Sequence, residues 1–499
     1  MANIKELREE RLRKLAEIKQ AGIDPYPQAG SRTDINRVLV ESFDTKEGNK
    51  VSALGRITSI RLMGGMSFID VTDESGKIQA VINKKTFNAD NTLNQMDFKQ
   101  LRLLDAGDFV QVNGELGKTQ RGEVSVLTTS LVLLSKSLRP LPDMHEGFKD
   151  VEKRYRQRYI DLHLNPEVKQ HIELRSQVTE VMRQFMISRG FTELETPVLQ
   201  PLYGGGSARP FTTYHHKLES DLYLRISNEL YLKRAIVAGF ERVFEFARDF
   251  RNESIDRSHN PEFTMLEFYW AYANYQDLMN LIEDLLPKII TSAGLPLRMN
   301  IGGTEVDFTP PYPRHTMREI IKQYAKIDIE EYSDQQSLYA KIKDLHIEGV
   351  DAQTGYGKMV DEIYKTYARP YITNPIFMTD HPVELSPLAK RKSDNPRYVE
   401  RMQLVCVGGN ELCNGFSELN DPLDQELRFK EQERLQMAGD DESMPFDEDF
   451  VTALKHGMPP TAGLGMGIDR LIKLLLDTQN LKEVILFPTL KPEKSETKE

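Results

Sequence analysis

The stretch RDFRNESIDRSHNPEFTMLEFYWAY, from Arg248 to Tyr272, consists of two alternating segments joined by a polar loop. In the first, Phe244, Phe246 and Phe250 interleave with Arg248, Asp249, Arg251 and Glu253. The two-residue period of a strand puts Arg251 and Glu253 on one face. In the second, Glu267 and Tyr269 share a face while Leu266, Phe268 and Trp270 take the other, so one side is chemical and the other is core. An arginine fork suits the oxygen pair of a phosphate or carboxylate. His259 and Asn260 add donors in the loop, and Phe263 offers a ring on which a base can stack. Charged faces are common on half-buried antiparallel sheets. The pair alone therefore reads equally well as an amphipathic hairpin with solvated charges.

Two further constellations decide between these readings. In TAGLGMGIDRLIKLLL, Thr461 to Leu476, glycines 463, 465 and 467 permit close backbone approach, and Ile468, Leu471, Ile472 and Leu475 have helical spacing. Arg470 then falls in the first turn of a helix, where a cation opposes the helix dipole and an anionic ligand would relieve it. In ELCNGFSE, Glu411, Asn414 and Glu418 interrupt small and apolar residues. Such carboxylates suit a hard cation bridging phosphates, or an ammonium group.

Together these elements resemble motifs 2 and 3 of class II aminoacyl-tRNA synthetases and the carboxylate strand between them. GFTELETPVLQP, Gly190 to Pro201, follows the amphipathic stretch Ile172 to Arg189 and resembles the first motif, which in that family builds the dimer interface. The class I signatures KMSKS and HIGH are missing. The segments YLRISNELYLKR, HNPEFTMLEFYWAY, ELSPLAKR and NGFSELNDP resemble the class II lysyl-tRNA synthetases more than their aspartyl and asparaginyl relatives. A lysine ammonium needs acceptors and no nearby cation, whereas an aspartate pocket needs a cation at that depth.

The resemblance implies an α+β protein: an N-terminal OB-fold barrel that binds the anticodon, then a catalytic domain with an antiparallel sheet flanked by helices. It implies a lysine–tRNA ligase acting on ATP, L-lysine and tRNA(Lys), with Mg2+, as a homodimer. Arg251, Arg470 and Glu411 match its catalytic positions. ATP would meet Arg251, Glu253, His259, Asn260, Phe263, Glu411 and Arg470. Lysine would meet Gly205, Glu229, Arg251, Glu267, Tyr269, Asn414 and Glu418. Arg61, Phe68, Gln79 and Glu123 match anticodon contacts. One departure stands out: where the family has a second acidic metal ligand this chain has Gln403, with one extra residue before Glu411. Gln403 is a neutral oxygen donor, so a magnesium ion held there has less charge compensation. The alternatives are an aspartyl or asparaginyl relative, disfavoured by the acidic pocket, and a lysyl-transferring paralogue that modifies a protein, disfavoured by the anticodon domain.

A chain of 499 residues is too long for one ordinary domain. The expected divisions are a helical extension at 1–48, the barrel at 49–137, a proline-bearing linker at 138–150, the catalytic domain at 151–492 with a helical insertion at about 302–370, and a disordered tail at 493–499. Short alternating runs between Val51 and Ser137 carry the barrel assignment. Gly114 to Lys118 ends like a phosphate loop but reads as a hairpin turn. The net charge of −11 argues against a nucleic-acid partner. Its distribution softens the objection, since residues 1–145 hold 21 Lys and Arg against 19 Asp and Glu. Ile4, Leu7, Leu15 and Ile18 share one helical face, with Lys5, Arg8, Arg11, Arg13, Lys14 and Lys19 crowding the rest. That helix is either RNA-contacting or merely solvated. No run approaches the roughly 18 apolar residues of a membrane helix. The charged N-terminus lacks a signal core, and two cysteines suit a reducing compartment. The expected location is cytoplasmic.

Overall fold

Five strands close into a barrel: β1 (Lys50–Met63), β2 (Met66–Thr72), β3 (Lys77–Asn83), β4 (Phe109–Lys118) and β5 (Val124–Ser135), in the order β1-β2-β3-β5-β4, with β4 pairing back to β1. The computed structural model describes residues 4–87, 94–142, 148–437 and 443–493, and separates into two units, Met1–Asp150 and Val151–Glu499. Every second residue of β2 is buried, and Ile69 and Val71 meet Ile57, Ile78, Val112 and Leu131 in the barrel core. A Cβ at Gly114 would collide with the Leu127 backbone, so glycine lets β4 and β5 approach closely. Gly114 to Lys118 is thus strand rather than the expected turn. The turn comes next, where the Thr119 N–H donates to the Glu123 carbonyl at 3.0 Å.

The helix Ile4–Gln20 lies against this barrel, but not by the face the spacing suggests. Ile18 is fully buried in the barrel core, whereas Ile4 and Leu7 are exposed. Arg11 donates to the Ala106 carbonyl and to Ser137 Oγ, each at 2.9 Å, and Lys14 pairs with Asp105 at 2.7 Å. Two of the cations expected to crowd the outer surface therefore hold the helix down.

The second unit is built on thirteen strands among the described residues: β6 (Thr192–Glu193), β7 (Leu199–Gln200), β8 (Phe211–His215), β9 (Ser220–Leu224), β10 (Arg242–Phe250), β11 (Glu262–Ala271), β12 (Arg298–Ile301), β13 (Thr304–Asp307), β14 (Arg314–Thr316), β15 (Ile376–Pro382), β16 (Tyr398–Cys406), β17 (Asn410–Ser417) and β18 (Thr461–Gly467). Eight of them form one sheet in the order β14-β15-β16-β17-β18-β11-β10-β6, antiparallel inside and parallel at its two outermost pairs. Helices Pro166–Ser188, Tyr275–Ser292 and Ile468–Leu475 cover one face. Strand β11 divides the faces as its alternation requires. Leu266 and Phe268 join the core with Phe244, Ile282 and Leu464, and Glu267 and Tyr269 turn to the opposite side.

The segment expected as a helical insertion is partly sheet. It opens with the β12-β13 hairpin and with β14, which lies parallel to β15 at the edge of the main sheet. Only from Met317 onward is it helical, with helices Met317–Ala325, Gln335–Ile342 and Tyr356–Tyr367 around a separate core that includes Ile320, Leu338, Met359 and Ile363. The expected tail falls almost wholly outside the described residues, and so does part of the expected linker.

Candidate active site

A cavity of about 390 Å³ opens on the opposite face of the sheet, over β11, β17 and β18 and beside helix Glu229–Val237, which packs on that face. All thirteen residues that the sequence assigns to ATP or lysine line it, from Gly205 and Glu229 through Arg251, Glu253, His259, Asn260, Phe263, Glu267 and Tyr269 to Glu411, Asn414, Glu418 and Arg470. Gln403 is not in the wall.

The register makes the cavity electrically two-ended. Met265 of β11 stands opposite Gly467, and Tyr269 opposite Gly463. Four residues of strand separate these positions by roughly 13 Å. Near the first pair lie Phe263, Arg251 and, one turn into the helix after Gly467, Arg470. Near the second lie Tyr269 and Glu418.

At the basic end, β10 stops at Phe250, so Arg251 and Glu253 sit just past the strand rather than on it. Arg251 is still held in line, because its N–H donates to the Pro261 carbonyl at 2.8 Å. Its guanidinium lies 5.2 Å from the Phe263 ring centre, and its Nε is buried without a hydrogen-bond partner. Asp469 turns inward, accepting the Thr264 N–H at 3.0 Å and pairing with Arg175. Its neighbour Arg470 points into the cavity and, among the described residues, has no hydrogen bond or ion pair. Two guanidinium groups without acceptors facing one space make a site for a polyanion. Beneath them Asp249 is pushed up to about 7 by burial, against the pull of Arg225 and Arg251.

At the acidic end, Glu418 is almost fully buried, and neither of its oxygens accepts a well-formed hydrogen bond. A Cβ at Gly463 would overlap both Glu418 Oε1 and the Tyr269 ring, so bare glycine lets the two meet. Glu267 accepts from Ser227 Oγ at 3.1 Å and from the Tyr269 hydroxyl at 3.3 Å. Gly205, at φ +80°, passes so near Ser227 and Glu229 that a side chain would clash. Burial drives Glu267 and Glu418 well above the usual carboxylate range, and raises the Tyr269 phenol. An arriving cation would find at Glu418 Oε1 an acceptor that has no partner.

The expectation of no cation at this depth is corrected by the structure. Lys233, wholly buried, contacts Glu418 and donates to Glu229 Oε1 at 2.5 Å. Arg401 was also unforeseen: it lines the wall and donates to Asn414 Oδ1 at 2.8 Å, which orients that amide. The sequence reading singles out neither residue.

Gln403 Nε2 donates to Glu411 Oε2 at 2.6 Å, and its Oε1 faces His381 Nε2 at 3.2 Å. The amide thus offers Glu411 an N–H rather than the ligand oxygen expected. Burial holds His381 well below its usual range, so it is neutral. Among the described residues no three His, Cys, Asp or Glu gather as a metal site. A phosphate-bridging magnesium takes most of its ligands from phosphates and water, and Glu411 fits it with a single carboxylate.

On the barrel, Phe68 is half-buried on the outer surface rather than in the core, opposite Arg61, whose guanidinium lies 5.6 Å from its ring centre. Gln79 is nearly enclosed one strand over, beside Ser125, and Glu123 lies 3.8 Å from Lys77.

A two-ended cavity on an antiparallel sheet, with arginines from the β10–β11 connection and from the helix after a glycine strand, defines a class II synthetase site. Residues 150–491 match the family of class II tRNA synthetases (D, K and N), and residues 51–134 match the OB-fold nucleic acid binding domain. The chain is 46% identical over 493 residues to lysine–tRNA ligase of Roseiflexus castenholzii, covering 98% of this chain and 99% of the relative. It is 46% identical to lysine–tRNA ligase of Dehalococcoides mccartyi, with 97% of both chains covered, and 44% identical to that of Pelotomaculum thermopropionicum, with 98% and 96% covered. The chain belongs to the lysine–tRNA ligase family of class II synthetases.

Proposed function

We propose that the enzyme activates L-lysine with ATP to lysyl-adenylate and pyrophosphate, then transfers the lysyl group to the 3'-terminal adenosine of tRNA(Lys). The observation that carries this reading is Glu418, a buried carboxylate that meets Lys233 through Oε2 and leaves Oε1 without a partner, at the far end of a cavity from two unpaired guanidinium groups. Glu418, with Tyr269 beside it, takes the side-chain ammonium. Glu229 and Gly205 take the α-amino group, with Glu267 and Asn414 completing the polar wall. Arg251 takes the substrate carboxylate and the ATP α-phosphate. Phe263 stacks the adenine, and Glu253 reads its amino group. His259, Asn260 and Arg470 hold the phosphates.

The substrate carboxylate is already ionised at neutral pH, so no general base is needed. One of its oxygens attacks the α-phosphorus, the bond to the β-phosphate breaks, and pyrophosphate leaves. Rate comes from in-line positioning and from charge stabilisation by Arg251 and Arg470. Magnesium, held by Glu411 and the phosphates, would draw charge from the leaving group. A ribose hydroxyl of the tRNA then attacks the mixed anhydride and AMP departs.

The barrel face with Arg61, Phe68, Gln79 and Glu123 binds the anticodon, stacking a base on Phe68. Exposed Ile187, Val198 and Leu199 around the Gly190 to Pro201 segment support a homodimer contact there. No helix among the described residues is long and apolar enough to cross a membrane. Cys406 and Cys413 are free thiols, which suits the cytoplasm. ATP–pyrophosphate exchange with each of the twenty amino acids, magnesium present and tRNA absent, tests the assignment. Exchange is expected with lysine alone, and exchange with aspartate or asparagine would overturn it.

A further inference from the structure

Behind the two carboxylates Glu229 and Glu418 in the cavity wall lies a group that the chemistry above does not use. Lys233 lies on helix Glu229–Val237 between Leu232 and the apolar turn that includes Ile236, and it has no exposed surface. Its ammonium sits between two carboxylates, 2.5 Å from Glu229 Oε1 and in direct ion contact with Glu418 Oε2. The rings of Phe416, Phe450 and Tyr269 stand 5.4, 5.9 and 6.0 Å from it. Glu267 and Tyr269 of β11 face the same space; Arg401 of β16, which lines the cavity, is committed to Asn414, the Leu385 carbonyl and Ser386, and the neighbouring Arg234 pairs with Asp447 and Asp449. A buried ammonium carries a large desolvation cost, and a fold that needed only packing would place an apolar residue here.

Each carboxylate gives one oxygen to Lys233, and both line the cavity. Glu418 Oε1 is left beside Gly463 with no donor. We propose that Lys233 is a positioning residue that fixes the spacing of the two ammonium acceptors and so selects a diamino acid by its length. The inference rests on the reading in which Glu229 takes the α-amino group and Glu418 the side-chain ammonium. With one cation clamped between them, the carboxylates cannot shift to follow a shorter substrate. Ornithine, one methylene shorter than lysine, then leaves one acceptor unpaired. A methylene in an apolar pocket is discriminated by only roughly 10- to 200-fold, and a fixed acceptor that goes unpaired adds to that.

The test is Lys233→Met, which keeps the unbranched apolar stem and removes the charge. ATP–pyrophosphate exchange is measured with lysine and with ornithine, and the KM for ATP is read in the same assays. Lysine kcat/KM is expected to fall and the lysine-to-ornithine ratio to drop at least tenfold, with the KM for ATP within twofold of the wild type. A ratio that stays within twofold or rises overturns the proposal, however much lysine activity is lost, because support of the fold alone would not change it. If Lys233→Met does not fold, Lys233→Gln, which keeps a donor for one carboxylate, is judged by the same ratio. Failure of both to fold would make the role structural and sink the proposal. Wild-type enzyme that ignored lysine would contradict the functional reading, whereas wild-type lysine exchange with an unmoved variant ratio contradicts this inference alone.

Discussion

Glu418 Oε1 packs against the bare α-carbon of Gly463, in space that a methyl group would fill. The same methyl would strike the ring of Tyr269. Gly463→Ala must therefore displace the ammonium acceptor, the neighbouring phenol, or the β17-β18 pairing between them. Lysine binding is expected to weaken by about 100-fold or more, the scale of losing a charged hydrogen bond together with local repacking. The basic end is roughly 13 Å away along β11, so ATP affinity should stay within a few-fold. Calorimetric titration with each ligand separately checks this, and equal losses would refute the division of the cavity.

Glu418→Gln keeps the shape and removes the charge. Lysine binding should lose about 1.5 to 3 kcal/mol, the worth of a hydrogen bond to an ionised group, with ATP binding nearly unchanged. The buried amide would also leave Lys233 with Glu229 as its one carboxylate partner, so the melting temperature is expected to fall modestly. Paired titrations of lysine and ATP read the first effect, and a loss shared by both ligands would contradict the assigned role.

Asp249 sets a pH dependence whose sign follows from its shift. Burial takes its carboxyl from an ordinary 3.8 to about 7 in the ligand-free fold. Between those values the folded protein keeps a proton that the unfolded chain has released, so stability falls as pH rises through that window and levels above it. Glu267 and Glu418, also raised by burial, act in the same direction. Denaturant midpoints of ligand-free protein from pH 5 to 8 should decline, and Asp249→Asn should flatten the decline. A slope left intact in the variant would remove Asp249 from the account.

The faces of β11 were legible because a strand repeats every two residues, and Leu266, Glu267, Phe268 and Tyr269 carry that period without interruption. Arg470 was legible from its place after a glycine strand. Lys233 was not, because a lysine followed by an arginine on a short helix carries the signature of a solvated face, and its burial depends on Phe416, Glu418 and Phe450, far away in the chain. Strand periodicity also carried Arg251 one residue too far, since β10 ends at Phe250 while backbone pairing to Pro261 continues without strand geometry. The direction of the Gln403 amide had no sequence signal, because it is set by His381 on one side and Glu411 on the other.

That amide leads to a prediction about metal. Gln403→Glu would place two carboxylates where an N–H now meets an oxygen at 2.6 Å. Without metal the pair repels. With a hard cation it supplies a further anionic ligand. Affinity for Mn2+ in the presence of a non-hydrolysable ATP analogue should rise by roughly tenfold, as read from the free-ion paramagnetic signal, and the metal-free variant should melt below the wild type. Unchanged or weaker metal affinity would mean that this position lies outside the ion's reach.

The barrel can be tested apart from the chemistry. Phe68 is half-buried on the outer face of the barrel with Arg61 across the strand pair, an arrangement that leaves ring surface for a base and costs little to remove from the fold. Stacking a base is worth about 1 to 3 kcal/mol by alanine substitution. Phe68→Ala should therefore raise the KM for tRNA in the transfer reaction by roughly 5- to 150-fold, while lysine-dependent ATP–pyrophosphate exchange, which needs no tRNA, stays at wild-type rate. If Phe68 were instead a packing residue, the barrel would lose stability and exchange would remain intact, but the tRNA effect would disappear at temperatures well below the variant's melting point. Measuring the KM for tRNA across that temperature range separates the two, because a stacking contact is missing at every temperature and a marginal fold is not.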